Sequence, residues 1–265
     1  MRRHLLPLTI LALLAVGGQA IAAEGDEPRS AYRLSVDLDV PLILISGAAA
    51  SSFLFTKETG PPACAPLCNK QNVNPFDRPF AGRYSPTWQT VGDISVAATV
   101  ILVPVGLIIG EPSWSVVSDL VVLGEAALVT SAIQVTLSYA VDRPRPRVYG
   151  VKAPLDQRDD ANAGRSFFSG HVANTLSLTM VTWTALRRLD RPKLAWAVLG
   201  VGIAGSLLVG IARVGAGGHF PTDVLIGYAV GAGVGIAIPA LHDRRIAIAP
   251  IATSDSHGLS LSTTF

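Results

Sequence analysis

Apolar residues in this chain come in long unbroken runs rather than in the alternation of half-buried strands. Charge-free runs cover 5–23, 40–56, 94–110, 194–212 and 224–241, and two more, 120–141 and 172–186, hold only Glu125 between them. A helix that crosses a bilayer needs about 20 predominantly apolar residues. The pattern therefore predicts an all-α, polytopic membrane helix bundle. Four segments follow along the chain: 1–23, a signal peptide or first membrane helix; 24–90, a loop-rich extracytoplasmic stretch; 91–241, the membrane domain; and 242–265, a C-terminal tail. The first carries Arg2 and Arg3 before its apolar core and ends in Ala20-Ile21-Ala22, as secretory signals do. The second is punctuated by Pro61-Pro62, Asn74-Pro75 and Ser85-Pro86.

The charges between runs orient the bundle. Arg187, Arg188, Arg191 and Lys193 crowd one short connection, and Arg244 and Arg245 follow the last run. By the positive-inside rule both are cytoplasmic, which puts 142–171 and 213–221 outside. From an inside Met1 to an outside Asp142 the chain crosses an odd number of times, so one of the four runs before Asp142 does not span. The weakest is 40–56, with Pro41, Ser46, Ser51 and Ser52 inside it and Asp37 and Asp39 just before it. It is expected to be interfacial or re-entrant, which leaves about six spans counting the N-terminal run. Gly227, Gly231 and Gly235, four apart on the last span, predict close helix packing. Glu125, alone in its helix, reads as a snorkelling or helix-packing residue.

Composition narrows the function. Charged residues are 15% and hydrophobic ones 49% of 265 residues, which excludes a soluble enzyme and a disordered chain. A net charge of +2, with no basic stripe interleaved with aromatics, gives no reason to expect nucleic acid. Cys64 and Cys68 are the only cysteines, four apart. They read as a small disulfide loop on an oxidising face, or as a redox or metal pair lacking further ligands.

The polar residues gather in the two outer loops. One holds Asp142-Arg143-Pro144-Arg145-Pro146-Arg147 and runs on to Ser169-Gly170-His171; the other holds Arg213, His219 and Asp223. Guanidinium forks such as Arg145 and Arg213 suit phosphate oxygens. Ser169-Gly170-His171 opens a helix, where unpaired N–H groups favour an anion. His219 and Asp223 stand at i and i+4, so the carboxylate is expected to hold the imidazole and make it a nucleophile, with His171 as the proton donor. As bland alternatives, the arginines serve as a lipid-headgroup patch and the histidines as interfacial polar residues. Three linked motifs at one bilayer depth outweigh these.

Arg145-Pro146, Ser169-Gly170-His171 and the Arg213, His219, Asp223 spacing resemble the three signature motifs of the type 2 phosphatidic acid phosphatase family, which shares its site with vanadium haloperoxidases. The resemblance covers roughly 91–241. It implies a six-helix membrane bundle, no metal or other cofactor and a phosphohistidine intermediate. By position, it implies His219 as nucleophile, Asp223 as its orienting acid and His171 as general acid, with Arg145, Ser169, Gly170 and Arg213 on the phosphate. The implied enzyme is a membrane lipid phosphate phosphatase of a bacterial-type inner membrane, with its site on the periplasmic side. The sequence departs from the family where Ser138 replaces the usual lysine, Phe168 the proline before Ser-Gly-His, and Ala212 the serine before Arg213. Arg143, Arg147 or Lys152 can supply the missing charge, and Arg143 is counted with the phosphate ligands. The alternatives are a phosphotransferase, haloperoxidase chemistry, and a catalytically weakened member that binds anionic lipid.

Overall fold

The structure, a computed structural model, describes residues 30–52, 60–243, 246–252 and 257–263. The signal or first helix expected at 1–23 lies outside the described residues. Seven helices follow: α1 (Val36–Ala50), α2 (Pro86–Gly110), α3 (Val116–Val141), α4 (Leu155–Arg158), α5 (Gly170–Arg188), α6 (Pro192–Gly215) and α7 (Pro221–Leu241). The tail adds an antiparallel pair, β1 (Ile246–Ala252) and β2 (His257–Thr263), outside the helical bundle. Three long helices start on proline, at Pro86, Pro192 and Pro221, where a missing N–H costs nothing. Ser85 caps α2 by accepting from the Trp88 N–H.

α5 stands in the middle, packed against α2, α3, α6 and α7. That position explains its sequence. Thr175, Ser177, Thr179 and Thr182 are buried on it, and Thr179 returns its hydroxyl to the Thr175 carbonyl at 2.7 Å. A helix ringed by other helices has no lipid to face, so hydroxyls bonded to backbone are tolerated there. Among the described residues, four helices are long and apolar enough to cross a membrane: α2, α3 with the turn after it, α6 and α7. Their outward positions, including Ile94, Ile101 and Ile109 on α2 and Val201, Leu208 and Ile211 on α6, are exposed aliphatics. A continuous apolar exterior of this kind belongs in lipid. The chain is a multi-pass membrane protein. The expected glycine face is present: a Cβ on Gly231 would sit 2.5 Å from the Ala173 carbonyl oxygen of α5.

Residues 30–52 and 60–83 make contacts at both ends of the bundle. The backbone N–H groups of Ala31 and Tyr32 both donate to Asp119 at the start of α3, at 3.0 Å. Cys68 and Gly82, by contrast, donate to the Val148 and Pro146 carbonyls at the motif end. Tyr32 and Cys68 thus stand at opposite ends of the bundle, with α1, which carries residues 40–50 of the expected interfacial run, alongside α3. Two polar groups in and before this run are paired internally: Ser46 donates to the Leu42 carbonyl, and Asp39 meets His242.

That last contact belongs to a clasp at the end of the bundle away from the motifs. His242 Nε2 lies 2.9 Å from Asp39 Oδ1 and 3.0 Å from Glu125 Oε2, and its Nδ1 lies 2.8 Å from the Ile238 carbonyl. Glu125 is thus a buried packing acid, 1% exposed, and does not snorkel. Burial opposes the charged imidazole, but the two carboxylates and the carbonyl outweigh it and raise the His242 pKa to about 9. A pKa raised above the ordinary ~6.5 contributes stability that is fully present below that value and lost as pH rises through about 9. His242→Gln strands two buried carboxylates and should cost about 3–5 kcal/mol. Thermal unfolding in detergent should show the wild-type midpoint falling between those pH values, and a lower, flatter profile in the variant. Equal midpoints at pH 6 would contradict the clasp.

Candidate active site

A cavity of about 360 Å³ opens at the motif end, lined by Ser138 and Tyr139 of α3, Arg145 and Arg165 of the following loop, His171 of α5, and His219. Val96 of α2, Gln134 and Val135 of α3, and Asn162, Gly170 and Asn174 also line it. Among the described residues that line it there are two imidazoles and two guanidiniums but no carboxylate. The group with metal-ligand spacing, Asp39, Glu125 and His242, lies at the other end of the bundle.

His219 hangs from the loop between α6 and α7, 4% exposed. Gly217 turns that loop at φ +75, and its missing Cβ leaves room for the Arg83 carbonyl. The loop then returns the Gly218 and His219 N–H groups to the Arg213 carbonyl. His219 Nδ1 sits 2.6 Å from the Ser166 carbonyl oxygen. A carbonyl can only accept, so Nδ1 carries the hydrogen and Nε2 keeps its lone pair. Burial, then Arg145, with further push from His171 and Arg213, hold this imidazole well below the usual histidine range, against the opposing pull of the Ser166 carbonyl. The ring is neutral at physiological pH. The acid-side fall of kcat/KM in a pH–rate profile should therefore lie below the ordinary ~6.5; a limb at or above that value would contradict this environment.

Asp223 does not touch that ring, contrary to the sequence expectation. It is the third residue of α7, and its Oδ2 turns back to accept from the Phe220 N–H at 2.8 Å and from the Ser166 hydroxyl at 2.6 Å. The carboxylate thus holds Ser166, and the Ser166 carbonyl holds His219. Arg143 is likewise not among the residues that line the cavity. Its guanidinium bridges Asp223 Oδ1 at 2.5 Å and Asp77 Oδ2 at 2.7 Å, over the face of Phe220. Two carboxylates on one fork leave it structural, as the strut between the 60–83 loop and α7.

Arg145 does line the cavity, its Nε and Nη1 anchored on the Asn162 and Gly218 carbonyls at 2.8 and 3.0 Å. Gly170 lines it too, at the open start of α5. Ser169 is fully buried beside α7, its N–H donated to the Asp223 carbonyl, and is not part of the lining. Arg213 is not among the lining residues and pairs with Asp93 at 2.7 Å. Sequence reasoning missed Asp77, Ser166 as a tether, and Arg165. Only Ser166, a small polar residue just before the Ser-Gly-His motif, left a visible signal. Asp77 is a fully buried acid in a loop, held below the usual carboxylate range: burial acts against this, but hydrogen bonds from Thr222, Asn74 and Arg143 outweigh it. Nothing in its flanking sequence marks it.

The arrangement brings together one oriented neutral imidazole, a second, exposed one and two arginines at a single cavity. The PAP2 superfamily model matches residues 119–247, the stretch that carries every motif residue. Among solved structures, the first transmembrane PAP2-type phosphatidylglycerolphosphate phosphatase from Bacillus subtilis is similar at 19% identity and a TM-score of 0.44. The match covers 76% of this chain and 94% of that one. No curated protein matches the chain.

Proposed function

We propose that the chain is an integral-membrane phosphatase that hydrolyses a lipid phosphate or diphosphate monoester through a phosphohistidine at His219. The observation that carries this reading is the Ser166 carbonyl on Nδ1, which leaves Nε2 as the lone pair beside Arg145. Nε2 attacks phosphorus while Arg145 and the α5 N-terminus hold the non-bridging oxygens. The bond to the lipid oxygen breaks, and His171 gives that oxygen a proton. Water then attacks the phosphohistidine, His171 takes its proton, and inorganic phosphate leaves with Nε2 restored.

A lipid substrate suits the position of the cavity. Its wall is shared by α2 and α3, which scarcely touch each other, so a hydrocarbon tail can remain in the bilayer while the head enters sideways. The extracytoplasmic side is favoured by the basic connection at 187–193 at the far end and by the Cys64–Cys68 disulfide at the motif end. A weakened, lipid-binding member is the reading that Ser138 favours.

Two measurements test this. Detergent-purified protein should release phosphate from at least one of a panel of lipid phosphates; release no greater than that of His219→Ala on every lipid would support the non-catalytic reading. An impermeant thiol reagent should label Lys152→Cys in whole cells and leave Lys193→Cys unlabelled. The reverse pattern would move the site to the cytoplasmic side.

A further inference from the structure

The cavity has a second cation that no motif announces. Ser138, on α3, turns its hydroxyl back to the Val135 carbonyl at 2.8 Å and brings no charge to the wall it lines. None of the three cations that the sequence offers in its place lines the cavity. Arg143 is bridged between Asp77 and Asp223, Arg147 donates Nε to the Gln157 carbonyl, and Lys152 is exposed in the loop. Arg165 does line it, together with Ser138 and Arg145. Its guanidinium carbon lies 4.0 Å over the ring of Tyr139, the residue next to Ser138. A guanidinium stacked on a ring keeps its N–H bonds in its own plane, directed past the ring rather than into it.

Resting on the phosphatase reading, we propose that Arg165 binds the phosphate as the second cation of the site and takes the charge role that residue 138 gives up. The transferring phosphoryl group spreads negative charge over three equatorial oxygens. Arg145 has Nε and Nη1 committed to carbonyls, so part of its fork remains for them. Arg165 is also joined directly to Ser166, whose carbonyl orients His219. The cation and the nucleophile are thereby set by the same short strip of backbone, and a phosphate held by one is in register with the other.

The test uses full-length protein in detergent, with vanadate inhibition as the binding readout and phosphate release from a lipid phosphate as the activity. Arg165→Gln should weaken vanadate about 10- to 100-fold, as loss of a charge-assisted contact does, and lower kcat/KM in parallel. Arg165→Lys should stay within a few-fold of wild type. Ser138→Lys should restore vanadate affinity in the Arg165→Gln background. Unchanged vanadate affinity in Arg165→Gln, whether or not turnover falls, would overturn the assignment, since a purely structural arginine would give that result. Failure of Ser138→Lys to rescue would overturn the shared charge role. If the wild type neither binds vanadate nor releases phosphate, the phosphatase reading itself falls.

Discussion

His219→Ala should lower turnover of a lipid phosphate by at least about 10⁴-fold, the scale of losing a nucleophile from an interdependent set. No other group in the cavity offers a lone pair fixed in this way. His171, exposed at the start of α5, has no carbonyl or carboxylate on its far nitrogen among the contacts described for it. His171→Ala should therefore act differently. Against a lipid alkoxide leaving group it should cost about 10²- to 10⁴-fold, the usual range for a general acid. Against an aryl phosphate, whose departing oxygen needs less protonation, the cost should be much smaller. The ratio of the two losses separates the histidines: near one for His219→Ala, large for His171→Ala. Equal losses on both substrates in both variants would remove the division of labour.

Asp223→Asn should damage both folding and catalysis. The carboxylate receives Arg143 on one oxygen and Ser166 with Phe220 on the other, and an amide can satisfy only one of those sides. The stability cost should be about 3 kcal/mol, at the low end for breaking a buried ion pair because Asp77 still neutralises Arg143. The catalytic cost arises because Ser166 loses its tether and its carbonyl no longer fixes the imidazole; about 10²-fold is expected for a misplacement of this kind. Vanadate binding through Arg145 should largely survive. Thermal unfolding and kcat on the same preparation decide the matter. Full stability with lost activity would indicate direct contact between Asp223 and the ring, as the i, i+4 spacing suggested.

The comparison with the sequence turns on what spacing can encode. Three motifs at one bilayer depth point to the stretch that the PAP2 superfamily model matches, because helix order and motif order are both visible in the chain. The four-residue interval from His219 to Asp223 was read as contact, but a carboxylate in the first turn of a helix has a competing partner, the Phe220 N–H. Arg143 looked available because a count of cations along the loop says nothing of Asp77, 66 residues earlier. Asp39 reads as a lone charge in the sequence, whereas His242 supplies its partner from the other end of the chain. Arg165 carried no signal at all; only the fold brings it to Ser138. Local patterns were legible, and pairings across long sequence distances were not.

The central claim is a covalent intermediate on one named histidine. Wild-type protein in detergent is given a lipid phosphate with a radiolabelled phosphoryl group, quenched in base within a turnover and digested for peptide mapping. The account predicts label on the peptide carrying His219, at up to one phosphate per chain, and no label in His219→Ala. Label on His171, or phosphate release from His219→Ala at the wild-type rate, would contradict it.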